Sequence, residues 1–229
     1  MEHSTRLQYL EAMGIDVWIS KEQAFVNNAV QINEVPENIT EEAGNWTDSW
    51  IDLQAEVSEC QKCTLCNSRT QTVFGTGNIN ADWMLISEAP GEQEEQEGLP
   101  FVGQASLLLT EMIRAIGLTM DDVYITNIVK CRAESKRDPK MEEIAACHEY
   151  IQRQVALVKP KIILAVGRVA AQALLETKEP LADLRGVVHQ LAGISLVVIY
   201  HPAYLLRSPL EKRKAWQDLQ LAIKVYQEL

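Results

Sequence analysis

Hydrophobic and polar positions follow two regimes along this chain. From about residue 48 onward, short apolar runs rich in Val and Ile at 82–86, 123–129, 161–166 and 194–200 alternate with longer amphipathic stretches. Short apolar runs bounded by turn residues predict buried strands, and stretches with a period near 3.6 predict helices. The helices expected are 48–59, 104–116 stopped by Gly117, 139–158 stopped before Pro160, 168–176, and a last one opened by Ser208-Pro209 and running to about 228. Strands alternating with helices imply parallel pairing through right-handed crossovers. The fold class expected is therefore α/β, a three-layer αβα sandwich around a central parallel four-stranded sheet.

The region before residue 48 reads differently. Residues 22–46 lack sustained periodicity, hold Pro36 and end in an acidic stretch, which predicts a linker. Ahead of it, Leu7, Leu10 and Met13 share one helical face, Gly14 stops the turn, and Ile15, Val17 and Trp18 follow. A segment this short is not a stable helix alone, so residues 1–21 are expected to be a docking peptide. The expected division is 1–21 peptide, 22–46 acidic linker, 47–229 folded domain.

Charge sharpens this division. The net charge of −11 is unevenly spread: residues 1–59 carry twelve acidic residues against Arg6 and Lys21, a balance of −10, and residues 60–229 carry twenty against nineteen, a balance of −1. The acidity belongs to the arm. In the remainder, basic residues gather at Lys130, Arg132, Lys136 and Arg137, and again at Arg207, Lys212, Arg213 and Lys214. Two such clusters beside candidate site loops suit contact with phosphates. The start of the chain does not resemble an export signal, and no apolar run is long enough for a membrane span. Five cysteines, an odd number, argue against a disulfide framework and for a reducing, cytoplasmic compartment.

Four of those cysteines carry chemistry. Cys60 and Cys63 form a C-x-x-C, and Cys131 and Cys147 form a second, widely spaced pair. Four thiolates without an obligatory histidine suit tetrahedral zinc or an iron–sulfur cluster, and spacing does not separate the two. Cys66 is left over and is expected to be a buried thiol nearby. The remaining unusual segments all follow predicted strands: Ser87-Glu88-Ala89-Pro90-Gly91, Asn127 to Arg132, Gly167-Arg168, and His201 to Arg207. Ligands of open parallel sheets bind at the carboxyl ends of strands, so one pocket is expected on that rim. Asn127 offers an amide that donates and accepts, Phe101 an aromatic face, and His201 a ring nitrogen. Leu205 and Leu206 before Arg207 read as an apolar wedge with a phosphate-binding tail, or as core.

Taken together, SEAPGEQEEQEGLPFVGQA, TNIVKCR, KPKIILAVGRVAAQALL and HPAYLLR, with C-x-x-C ahead of them, resemble the family 4 uracil-DNA glycosylases over about residues 60–229. The resemblance implies a DNA repair enzyme that flips uracil out of DNA and hydrolyses its N-glycosidic bond. It implies a 4Fe-4S cluster on Cys60, Cys63, Cys131 and Cys147. It places uracil against Ser87, Glu88, Ala89, Glu94, Phe101, Asn127 and His201, with Glu88, Asn127 and His201 as the catalytic set. It places DNA against Leu205, Leu206 and Arg207, with Lys130 and Arg132 added from the charge pattern. A monomer associated with the nucleoid is expected.

Two positions depart from that family's pattern: Ser87 and Ser106 stand where glycine is usual. Ala89 stands where other branches of the superfamily keep an aspartate. The arm lies outside the resemblance, and residues 6–18 are similar to the N-terminal peptide of the psi subunit of bacterial DNA polymerase III, which implies the clamp loader as a partner. An alternative follows, a non-catalytic replisome adaptor whose glycosylase-like core only binds DNA.

Overall fold

The computed structural model describes residues 49–133 and 137–229. The expected docking peptide at 1–21, the linker at 22–46 and Lys136 lie outside the described residues.

Helix α1 (Trp50–Glu59) opens the domain. Its N-cap is Ser49, whose hydroxyl accepts the Asp52 amide at 3.1 Å. Then come β1 (Thr76–Gly77), β2 (Trp83–Ser87), α2 (Glu92–Glu97), α3 (Gln104–Ala115), β3 (Val123–Asn127), α4 (Met141–Val158), β4 (Ile162–Val166) and α5 (Arg168–Leu174). The chain ends with α6 (Leu181–Leu184), β5 (Val188–Leu191), β6 (Ile194–Ile199), α7 (Pro202–Arg207) and α8 (Lys212–Gln227). Among the described residues the strands form one sheet in the order β1-β3-β2-β4-β6-β5.

The four predicted strands are β2, β3, β4 and β6, and they pair in parallel. Each is flanked on both faces, which is why each reads as an unbroken apolar run. Alternate residues divide between two cores. Met84, Ile86, Ile163, Ala165, Leu196 and Val198 pack with α1, α4 and α5 through Leu53, Val57, Tyr150 and Ala170. Trp83, Leu85, Ile162, Leu164, Val197 and Ile199 pack on the other face with α3, α7 and α8 through Leu109, Ile113, Leu205 and Leu219. This is the three-layer sandwich. Two short antiparallel strands extend the expected four: β1 on β3 and β5 on β6. β5 alternates exposed and half-buried residues, and β1 has only two residues, so neither produces an apolar run.

Other differences are local. The acidic stretch after β2 contains helix α2, which ends at Gly98 in the left-handed region with φ +72°. The segment from His201 to Arg207, expected as a loop, is helix α7 with Pro202 in its first turn. Ser208-Pro209 opens a 3₁₀ turn at Pro209–Glu211 before α8 begins. No helix among the described residues is long and apolar enough to cross a membrane.

Candidate active site

The parallel strands end on one rim, where the departing segments enclose a cleft of about 650 Å³. Ser87 closes β2 and Asn127 closes β3, and the two are register partners. Glu88 and Ala89 follow β2 directly, Glu94 sits on α2, and His201 follows β6. All six line the cleft. Phe101 does not. It is buried, and its ring stacks on the His201 imidazole with centroids 5.4 Å apart and planes 21° apart.

His201 caps α7, its Nδ1 accepting the Ala203 amide at 3.1 Å. Burial lowers its pKa to about 4, and the Arg207 charge acts the same way. The ring is thus neutral near pH 7, and with Nδ1 accepting, the proton resides on Nε2. β4 leaves the sheet close by: Gly167 has φ +89°, and a Cβ there would lie 3.1 Å from the Cβ of His201. Glycine suits both the conformation and the close approach.

The Asn127 Nδ2 is buried without a partner. A native donor left unpaired in a polar cleft is poised for a ligand. The two glutamates of the cleft differ. Glu94 is spent on backbone, accepting the amides of Gly91 and Phe101, the latter at 2.6 Å. That bond holds Phe101 at φ +56°, an uncommon conformation for an aromatic residue. For Glu88, burial raises the pKa to about 6; the Asp138 charge adds to this and Arg168 opposes it.

A second, much smaller cavity of about 10 Å³ is lined by Cys60, Cys63, Cys66, Cys131 and Cys147, with Arg69, Lys130 and Tyr150. All five cysteines are free thiols. Donors point at their sulfurs: Arg69 Nη1 at Cys131 Sγ, 3.2 Å, and the Lys62 amide at Cys60 Sγ, 3.5 Å. Cys66 is half-buried rather than buried, raised on a 3₁₀ turn (Thr64–Asn67) beside Cys63. Among the described residues no three Cys, His, Asp or Glu side chains are arranged to hold a single metal ion. Five thiols line this one cavity, Cys60, Cys63, Cys131 and Cys147 among them, and with N–H donors aimed at sulfur they have the donor chemistry of a cluster site.

The Uracil DNA glycosylase superfamily matches residues 74–220. A type-4 uracil-DNA glycosylase of Archaeoglobus fulgidus is 39% identical over 170 residues, covering 71% of this chain and 85% of its own length. One from Saccharolobus solfataricus is 42% identical over 180 residues, covering 74% and 83%. This chain belongs to the type-4 uracil-DNA glycosylases. A type-5 relative from Pyrobaculum aerophilum is 30% identical over 146 residues, covering 56% of this chain and 64% of its own.

In this glycosylase two of the residues expected at DNA lie elsewhere. Lys130 is buried, its amine enclosed by Thr126, Asn127, Gln154 and Phe74, and cannot reach a phosphate. Leu205 is core, packed with the α3 and α8 residues of the second cluster, and cannot act as a wedge. Its neighbours Leu206 and Arg207 are exposed, and Arg207 lines the cleft. Arg132 is half-buried and donates to buried Glu95 at 2.8 Å.

The type-4 chain also brings residues to the cleft that were not singled out from sequence. Tyr200 and Tyr204 pack ring to ring at 5.0 Å, with the Arg185 guanidinium 4.0 Å over Tyr200. Arg185 is in turn paired with buried Asp218 of α8 at 2.6 Å. Tyr204 lies within the HPAYLLR segment. Leu181 and Ala182 of α6 have no signal in the sequence, because they arrive by packing alone.

Proposed function

We propose that this protein releases uracil from DNA by hydrolysing its N-glycosidic bond, starting base excision repair. The observation that carries the reading is the pairing of Asn127, with its unpartnered buried amide, and neutral His201, with its proton on Nε2, across one cleft. A base must leave the duplex before its glycosidic bond can be reached. Once inside, uracil presents N3–H and O4 to Asn127, whose oxygen accepts and whose nitrogen donates; cytosine presents the reverse pattern. Bond cleavage places negative charge on the uracil ring, and the His201 Nε2–H stabilises the uracil oxygen as that charge develops. A neutral donor with a lowered pKa does this without repelling the positive charge that builds on the sugar.

Phe101 backs the imidazole, and Glu94 holds Phe101 in place. Glu88 is the carboxylate not engaged by backbone amides, and it orients the water that adds to the sugar. Leu206 and Arg207 meet the strand where the base departs. Ser87 occupies the uracil end of β2, buried and at the cleft wall, and Ser106 lies in the first turn of α3; both tune rate or base choice.

Cys60, Cys63, Cys131 and Cys147 would hold a 4Fe-4S cluster, which supplies a cross-link between chain segments and no redox step. The family membership and the shared cavity support this. The acidic linker and the amphipathic 6–18 segment support a tether to the clamp loader, raising local concentration at replicating DNA, with residues 47–229 as a monomeric catalytic domain in the nucleoid.

The test is a single-turnover assay of holoprotein on single-stranded and U·G DNA. Free uracil, an abasic site and an intact backbone are expected. Cluster-loaded protein that binds DNA but releases no uracil at large enzyme excess would overturn the reading in favour of the adaptor.

A further inference from the structure

Lys130 is 1% exposed, yet its side chain ends in an amine. Burying so polar a group is tolerated only where it is hydrogen-bonded. Here four oxygens converge on Nζ: Thr126 Oγ1 at 2.6 Å, Gln154 Oε1 at 2.6 Å, the Asn127 carbonyl at 2.9 Å and the Phe74 carbonyl at 3.4 Å. Gln154, from α4, extends the network by donating to the same Phe74 carbonyl at 3.0 Å and to the Tyr124 hydroxyl at 3.1 Å. The end of β3, helix α4 and the chain before β1 are thus pinned at one point.

The backbone of Lys130 faces the cysteine site. Its amide donates to the Cys147 sulfur, its carbonyl accepts the Val73 amide at 2.8 Å, and it lines the small cysteine cavity. The residues between Lys130 and Asn127 hold the other wall of the cleft: the Ile128 amide donates to the Ser87 carbonyl at 2.8 Å and the Val129 amide to the Glu88 carbonyl at 3.1 Å. Asn127 has no partner for its side-chain nitrogen. Its aim therefore depends on where its backbone is held, and Lys130 Nζ holds the Asn127 carbonyl directly.

We propose that Lys130 is a positioning residue for uracil release: from the edge of the cysteine site it fixes the Asn127 backbone, and with it the edge-reading amide and the exit of β2. The inference rests on the uracil-release reading above. It replaces a phosphate contact with a buried clamp, and the two make opposite predictions.

Lys130→Met keeps volume and removes the donors. In holoprotein it should slow single-turnover uracil release about 10- to 100-fold, the scale of a misplaced reacting group. DNA affinity and its salt dependence should stay within about twofold of wild type, as no phosphate contact is lost. The Asn127→Ala, Lys130→Met double variant should be no slower than Asn127→Ala, because one effect acts through the other. Additive losses would overturn the proposal, as would weakened DNA binding with an unchanged chemical step. Loss of iron in step with rate would assign Lys130 to the cysteine site alone and overturn it too. If Lys130→Met does not fold, Thr126→Val removes one acceptor and should slow release about fivefold, with the same non-additivity against Asn127→Ala. Hydrogen exchange is independent of activity. Either variant should speed exchange at the Ile128 and Val129 amides and leave α8 unchanged, and unaltered exchange there would sink the positioning role even if wild type released no uracil.

Discussion

The rim cleft and the cysteine cavity sit at opposite extremes of design. The cleft is about 650 Å³, and it leaves the Asn127 amide without a partner. The cysteine cavity is about 10 Å³, and its sulfurs face Arg69, Lys62 and Lys130 donors. An unsatisfied polar group is a cost the fold carries until a ligand arrives, which suits a substrate that enters and leaves. Thiols closed in by donors suit a group that stays. Burial raises the Cys147 thiol to about 11 and raises Cys131 as well, so metal binding there must displace protons and is coupled to folding.

The sharpest way to break that comparison is to remove one group from each site. His201→Ala should lower the single-turnover rate about 100- to 1,000-fold while iron content and melting temperature stay near wild type. Cys147→Ser should bleach the protein and lower its melting temperature, with about four irons per chain in the wild type as the reference; Cys66→Ser should do neither. Iron analysis and thermal melts read both arms. A bleached His201 variant would show that the two sites are not separable, and a brown, stable Cys147 variant would remove Cys147 from the ligand set.

Helix α7 divides between core and surface, with Leu205 inside and Leu206 outside. Leu205→Ala should destabilise the fold by about 2–5 kcal/mol, the cost of a cavity in a packed core. Leu206→Ala should stay within about 0.5 kcal/mol and weaken binding to uracil-containing DNA instead. Denaturant melts and DNA titrations distinguish them.

The pH profile sharpens the cleft itself. With Glu88 acting as a carboxylate and its pKa raised to about 6, the rate should fall about tenfold per pH unit below about 6 and level off above it. Glu88→Gln should remove that limb. His201, lowered to about 4, should add no limb between pH 5 and 8. The stability signs oppose one another. Native Glu88 binds more protons than the unfolded chain between its ordinary 4.5 and about 6, so its contribution falls as pH rises through that window. Native His201 binds fewer between about 4 and 6.5, so its contribution rises with pH. Thermal melts of Glu88→Gln between pH 4.5 and 6 should therefore rise more steeply with pH than wild type.

The smallest effect expected is that of the arm. Deleting residues 1–45 should leave excision on naked DNA unchanged or slightly faster, because nearby negative charge repels phosphate. A large loss of excision would place the arm within the catalytic unit.

The strands β2, β3, β4 and β6 were legible because burial on both faces writes itself as continuous Val and Ile runs, and parallel order followed from their alternation with helices. Their carboxyl-end rim was legible for the same reason, and with it the segments that carry Ser87, Glu88, Asn127 and His201. The cysteines were legible as residue types with a spacing, although zinc and iron were not separable on those grounds. Contact order decided the rest. Lys130 and Arg132 looked like surface charge because they stand in one basic stretch with Lys136 and Arg137, yet Gln154 and Phe74 close over Lys130 from 24 and 56 residues away. Leu205 and Leu206 are chemically identical and adjacent. Only the phase of α7 against α3 and α8 sends one into the core and leaves the other exposed. Local pattern determines which elements form and which side chains are available, whereas packing between distant elements decides which of them meet water and which are held as struts.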